Sequence, residues 1–124
     1  MPDKLILSSL PHTWIFDVDG TLCVHNGYKH GGDIILPGVK KLFESIPGDD
    51  MIILLTSRKE EERDNLDRFM KANGLRYDTV IFNAPMGERI LVNDDKPSGL
   101  KMAYALNKKR DAGIDVKVTV NENL

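Results

Sequence analysis

Four unbroken apolar runs, three of them followed by a polar cluster, constrain the fold of this chain more than any other feature. The runs are Trp14-Ile15-Phe16, Met51-Ile52-Ile53-Leu54-Leu55, Val80-Ile81-Phe82 and Ile90-Leu91-Val92. Runs of strand length without alternation suit strands covered on both faces, as in a parallel sheet. A fifth segment, Val116-Lys117-Val118-Thr119-Val120, alternates apolar and polar residues and reads as a half-exposed edge strand. Helical patterns lie between the runs. Val39, Leu42, Phe43 and Ile46 recur at helical spacing after Pro37-Gly38, with Pro47-Gly48 as the stop. A second helix is expected from about Lys59 to Asn73, with Leu66, Phe69 and Met70 inward and Gly74 as its left-handed cap. A third should start near Pro97, bury Leu100, Ala103, Tyr104 and Leu106, and end at Gly113. Strand and helix in alternation predict an α/β domain with a mostly parallel sheet and right-handed crossovers.

The chain has 124 residues, enough for one domain spanning residues 1–124. A folded surface of roughly 6,700 Å² is expected, which leaves about two-thirds of the extended chain's surface buried. Seventeen basic residues against nineteen acidic ones give a net charge of −2, which offers no long-range attraction to nucleic acid or anionic membrane. The single cysteine, Cys23, excludes an intramolecular disulfide and a thiolate-rich zinc site. The run Leu5-Ile6-Leu7 is far too short for a signal-peptide core or a membrane span, so a cytoplasmic protein is expected.

Ligands of parallel sheets bind beyond the carboxyl ends of the strands. Three polar clusters should therefore meet at one edge: Asp17-Val18-Asp19-Gly20-Thr21, Thr56-Ser57-Arg58 and Asn93-Asp94-Asp95-Lys96. Two carboxylates as close as Asp17 and Asp19 call for a cation, a shared proton or solvent. Asp94 makes the cluster all-oxygen and hard, which favours Mg²⁺ over zinc or copper. A calcium loop is excluded because Thr21, Leu22 and Tyr28 stand where its fifth, sixth and twelfth positions need Asp or Asn, Gly and Glu. A plain capping turn is the remaining bland explanation of Asp17 and Asp19. Asn26-Gly27 signals a two-residue hairpin, so residues 23–33 are expected to form a β-hairpin flap beside the acids. His25, Tyr28, Lys29 and His30 are its candidate substrate contacts, and exposed loop residues without a role are the bland alternative. Cys23 with His25 and His30 lacks a fourth zinc ligand, and Cys23 reads as a small core residue. The runs Lys59–Asp64 and Lys108–Arg110 read as solvated helix ends whose charges suit the macrodipole, with Arg58 and Lys59 nearest the site.

Asp17-Val18-Asp19-Gly20-Thr21-Leu22 after Trp14-Ile15-Phe16 resembles the first motif of the haloacid dehalogenase superfamily, whose members are mostly Mg²⁺-dependent phosphohydrolases. Ile52–Thr56 resembles the second motif and Ile90–Asp95 the fourth, in matching order and spacing over about residues 13–112. The resemblance implies a Rossmann-like three-layer sandwich with a mostly parallel five-stranded sheet, a β-hairpin flap and no cap domain. It also implies hydrolysis of a small phosphorylated metabolite, a sugar phosphate for example, through an aspartyl-phosphate on Asp17. Asp19 would be the acid and base. Mg²⁺ would be held by Asp17, the Asp19 carbonyl and Asp94, with Asp95 on a metal-bound water or in direct contact. Thr56 and Ser57 would bind the phosphate. The lysine of the third motif is missing, because Ala84 stands at its place in Asn83-Ala84-Pro85. Lys96, Arg89 and Arg58 are the candidate replacements, with Lys96 favoured beside the metal acids. The alternative function is a catalytically weak or inactive binding protein that keeps the phosphate and metal pocket. A receiver domain is disfavoured, since the third run ends Ile81-Phe82-Asn83 without the acid that such domains phosphorylate. With about fifteen residues between the nucleophile loop and the first helix, no cap fits. The site should be open, or covered by the flap or by a second subunit of a homo-oligomer.

Overall fold

The computed structural model describes residues 3–29 and 31–124, so His30 of the expected flap lies outside the described residues. The strands and α-helices follow the order β1 (Asp3–Leu7), β2 (Thr13–Asp17), α1 (Val39–Ser45), β3 (Met51–Leu55), α2 (Arg63–Ala72), β4 (Thr79–Ile81) and β5 (Val116–Val120). Every strand pairing among the described residues is parallel. Strands β2, β3 and β4 form one sheet in that order, and β1 pairs with β5 in a second. The fold is therefore α/β with parallel strands in two small sheets.

Register explains where the core sits. Phe16 lies beside Leu54, and Leu54 beside Val80, so these side chains share one face of the three-stranded sheet. The path β2, α1, β3, α2, β4 steps across the sheet in one direction, and right-handed crossovers then put both helices on the same face. Val39, Leu42 and Phe43 of α1 join Leu66, Phe69 and Met70 of α2 in a single buried cluster with Phe16, Ile52 and Leu54. The rings of Phe16 and Phe43 are 4.7 Å apart. Burial worth roughly 1.5–3 kcal/mol per large apolar side chain holds these short helices, which would not persist alone. The helical spacing of both segments is borne out, as is Gly74, whose φ of 67° closes α2. The acidic start of the second segment forms a 3-10 turn, Glu60–Glu62, ahead of α2.

The two sheets meet at a glycine seam. The Ile114 N–H donates to the Pro37 carbonyl at 2.9 Å. A Cβ on Gly38 would collide with the Ile114 carbonyl oxygen, and one on Gly113 with the Pro37 carbonyl oxygen. Both residues also have positive φ, 80° and 84°, so only glycine meets both demands without strain. Beyond the seam, β5 behaves as the alternation predicts: Val116 and Val118 are half-buried while Lys117 and Thr119 are exposed. Its partner β1 was not legible, because Leu5-Ile6-Leu7 is too short a run to separate from a loop.

A second anchor ties β2 to the loop before β3. The buried Asp50 carboxylate accepts from the His12 backbone N–H at 2.9 Å and from the Trp14 indole N–H at 3.0 Å, and it pairs with His12 Nδ1 at 3.0 Å. Burial would raise this carboxyl, but the hydrogen bonds from His12 and Trp14 outweigh it and hold Asp50 below its ordinary value. A depressed carboxyl stabilises the fold in full above the ordinary carboxylate range near 4, and that stability is lost as pH falls through the folded-state value. Asp50→Asn should cost about 1–3 kcal/mol at neutral pH, by leaving buried donors poorly matched. Urea melts at pH 7 and pH 3 should show the gap between variant and wild type shrinking in acid; an unchanged gap would remove Asp50 from the acid response.

Three expectations fail. Ile90-Leu91-Val92 forms no strand, and no helix follows Pro97: residues 88–109 carry neither strand nor helix. The Gly99 N–H donates to Lys96 and the Lys96 N–H to Leu100, so a tight turn stands where the helix would nucleate. An unpaired strand has nothing to satisfy its backbone, and the free edge of β2 remains unjoined. Ile90, Leu91 and Val92 are consequently 85, 60 and 90% exposed, and the second sheet face, with Ile15 at 50%, stays open. The surface of 8451 Å² correspondingly exceeds the compact expectation. The third failure is the two-residue hairpin. The Val24 N–H pairs with Ile34 and the Leu36 N–H with Leu22, closing a wider loop whose tip is a 3-10 turn, Gly27–Lys29. Asn26 has a positive φ, but the Gly27 N–H donates back to the Val24 carbonyl, so the turn is centred on His25-Asn26 and not on Asn26-Gly27.

Candidate functional site

The parallel sheet aims the ends of β2 and β3 in one direction, and the loops beyond them line a cleft of about 1060 Å³. Asp17, the last residue of β2, and Asp19 lie on one wall; Thr56, Ser57 and Arg58 follow β3 on another. Arg89 enters from the irregular segment. Asp17, Asp19, Thr56, Ser57 and Arg89 are thus brought together as the sequence suggested. Asp94, Asp95 and Lys96 do not line this cleft. They sit in the stretch that failed to form the fourth strand, with Asp94 and Asp95 exposed and Lys96 half-buried. The preference for Lys96 as the phosphate cation, and the use of Asp94 and Asp95 as metal ligands, find no counterpart in this arrangement for that reason.

Asp17 is fixed at both oxygens. The Thr21 hydroxyl donates to Oδ2 at 2.8 Å, and an Arg89 Nη–H donates to Oδ1 at 2.9 Å. Gly20, with φ of 86°, lets the chain turn back between them. Thr56 is buried; its N–H donates to Ile81 at 2.9 Å, and its Oγ1 accepts from the Arg58 N–H at 3.1 Å. The Ala84 N–H donates to the Thr56 carbonyl at 3.0 Å. Ala84, which stands where the sequence resemblance led one to expect a lysine, therefore lies beside Thr56 and offers only a methyl group.

Arg58 is 2% exposed and serves two acids. Its Nε–H and Nη2–H donate to Asp19 Oδ2 and Oδ1 at 2.9 and 2.8 Å, while Nη2–H and Nη1–H reach Asp33 Oδ1 and Oδ2 at 2.7 and 3.2 Å. The Tyr28 ring covers the guanidinium at 4.2 Å. Burial alone would lower the basicity of Arg58, but the hydrogen bonds it donates to Asp19 and Asp33 outweigh that and raise it, so it is a permanent cation. Cys23 is buried against this group, and burial together with Asp19 and Asp33 pushes its thiol well up, which leaves it protonated and unreactive.

Asp19, Cys23 and Asp33 are the one group of three metal-capable side chains among the described residues with ligand atoms within 4.8 Å of one another. The guanidinium of Arg58 already supplies their counter-charge. The donor set present in the cleft does not fit Mg²⁺: both Asp17 oxygens are held by Thr21 and Arg89, and Asp94 and Asp95, the acids meant to complete the shell, lie outside. Sequence reading missed Asp33, whose only local signal is its place after Gly31-Gly32, and Arg110, which lines the cleft from a stretch read as a solvated helix end.

Fold and cleft together define an α/β protein with a polar cleft at the carboxyl ends of its parallel strands. No protein-family model, curated protein or solved structure matches the chain. Among the described residues no helix is long and apolar enough to cross a membrane.

Proposed function

We propose that the chain is a phosphomonoesterase of the haloacid dehalogenase type, working on a small phosphorylated metabolite such as a sugar phosphate. The observation that supports it best is Asp17 at the end of a parallel strand, half-exposed in a cleft with Thr56, its one oxygen held by Thr21 and the other facing Arg89. In this reading the Asp17 Oδ1 attacks phosphorus and the bond to the leaving oxygen breaks, giving an aspartyl-phosphate. Asp19, when protonated, gives its proton to that oxygen and then takes one from the water that hydrolyses the intermediate. Arg89 transfers its hydrogen bond from Asp17 to a phosphate oxygen, joined by the Thr56 hydroxyl.

Mg²⁺ is the cofactor of this proposal, but no step is assigned to it, because the cleft as described lacks its ligand set. The finer architecture belongs to the same reading: a Rossmann-like arrangement of the parallel strands with no cap, supported by the single direction in which β2, β3 and β4 step across their sheet. Cytoplasmic placement, and a second subunit over the open cleft, complete it.

The second reading, a phosphate-binding protein with little or no turnover, is favoured by Ala84 beside Thr56 and by the hold of Arg58 on Asp19. Hydrolysis of an aryl phosphate and a panel of sugar phosphates and nucleotides, with Mg²⁺ and with chelator, decides between them. Turnover is expected, and its loss with chelator would assign a metal to it; no turnover on any substrate sinks the enzyme and leaves the binding protein.

A further inference from the structure

Residues 110 and 111 dock onto the loop that carries Asp17 and Asp19. The Asp111 N–H donates to the Gly20 carbonyl at 2.9 Å, and its carboxylate accepts the His25 N–H at 2.8 Å. Asp111 itself is left-handed, with φ of 63°. Two hydrogen bonds and a committed backbone turn thus hold the preceding residue, Arg110, in place. Its stem crosses Gly20 so closely that a Cβ there would lie 3.2 Å from Arg110 Cγ and 3.8 Å from Nε. Arg110 lines the cleft together with Asp17 and Thr56.

Charge accounting leaves Lys29, Lys59 and Arg110 as the cleft cations without an ion pair among the described residues, and of these three Arg110 is the arginine, docked through its neighbour onto the loop of Asp17 and Asp19. Arg58 is spent on Asp19 and Asp33, and Arg89 on Asp17. Arg110 forms no ion pair among the described residues. An unpaired arginine on a free surface means little. One tethered by its neighbour to the active loop presents a planar fork of donors, pre-organised for a phosphate or carboxylate.

We propose that Arg110 binds a second anionic group of the substrate, beside the phosphate received by Asp17, Arg89 and Thr56. The substrate class is then a phosphomonoester that carries another phosphate or a carboxylate. This deepens the phosphatase reading and rests on it for the reaction, whereas the anion site itself is tested without turnover.

Calorimetry on the full chain in metal-free buffer would compare inorganic phosphate with methylene bisphosphonate. Wild type should prefer the bisphosphonate by about tenfold, the scale of one charge-assisted hydrogen-bonded pair. Arg110→Ala should abolish the preference and leave phosphate affinity within about twofold, while Arg110→Lys keeps part of it. A preference unchanged in Arg110→Ala, equal weakening of both probes, or no preference in wild type overturns the proposal. A circular-dichroism melt checks the fold of each variant, and Arg110→Gln replaces any that fails it. If the preference is lost in Arg110→Ala but no substrate turns over, the anion site stands and the phosphatase reading falls. Turnover without the preference does the reverse.

Discussion

Asp17→Asn is expected to lower phosphate-ester hydrolysis by at least about a thousandfold, since an amide oxygen is a poor nucleophile and cannot form the acyl phosphate. The substitution is nearly isosteric. The amide oxygen still accepts the Thr21 hydroxyl, while the NH₂ turned toward Arg89 replaces an ion pair between groups that are each 36% exposed. A pair so open to solvent contributes about 1 kcal/mol or less, so the variant should melt close to wild type. Activity and stability therefore separate, which a structural role for Asp17 would not allow. Turnover within tenfold of wild type would show that the nucleophile is elsewhere. The same assay ranks the cations: Arg89→Ala should slow turnover and Lys96→Ala should leave it unchanged, because only Arg89 reaches Asp17.

What could be read from the sequence was what local physics controls. The apolar runs Trp14–Phe16, Met51–Leu55 and Val80–Phe82 became β2, β3 and β4, and the helical spacing of Val39–Ile46 and Leu66–Met70 placed the inner faces of α1 and α2. Asp17, Asp19 and Thr56 converge because parallel strands must end on the same side. The run Ile90–Val92 carries the same local signal and forms no strand, since a strand depends on a neighbour that accepts its backbone. Its misreading displaced Asp94, Asp95 and Lys96 together, as they are positioned by nothing else. The partnership of Arg58 with Asp33 was illegible for a different reason. The two are 25 positions apart, and no periodicity links a loop after β3 to the return of an excursion before α1. Arg110 was misjudged because a charge run late in a presumed helix has a sufficient bland explanation until the helix is absent.

Arg58→Ala should be the most damaging single substitution in the cleft. The wild-type cluster holds two carboxylates and one guanidinium, with Asp33 and Asp19 side chains only 6 and 15% exposed. Removing the cation leaves two like charges close together in a partly desolvated site, and breaking such a pair costs about 3–5 kcal/mol. That is a large share of the roughly 5–15 kcal/mol that a domain commonly has, and it should lower the melting temperature by at least about 10 °C. Arg58→Lys should not rescue it. One ammonium cannot span the four carboxylate oxygens that the guanidinium reaches, nor stack under Tyr28. Arg58→Ala combined with Asp33→Asn should recover part of the loss, because one orphaned charge goes with its partner, and the double-mutant cycle with the two single variants then reports the coupling directly. A single variant that loses less than about 1 kcal/mol would mean that water, not Arg58, neutralises these acids. Asp19 would then be free to exchange protons, and the hold of Arg58 on it would no longer favour the reading without turnover.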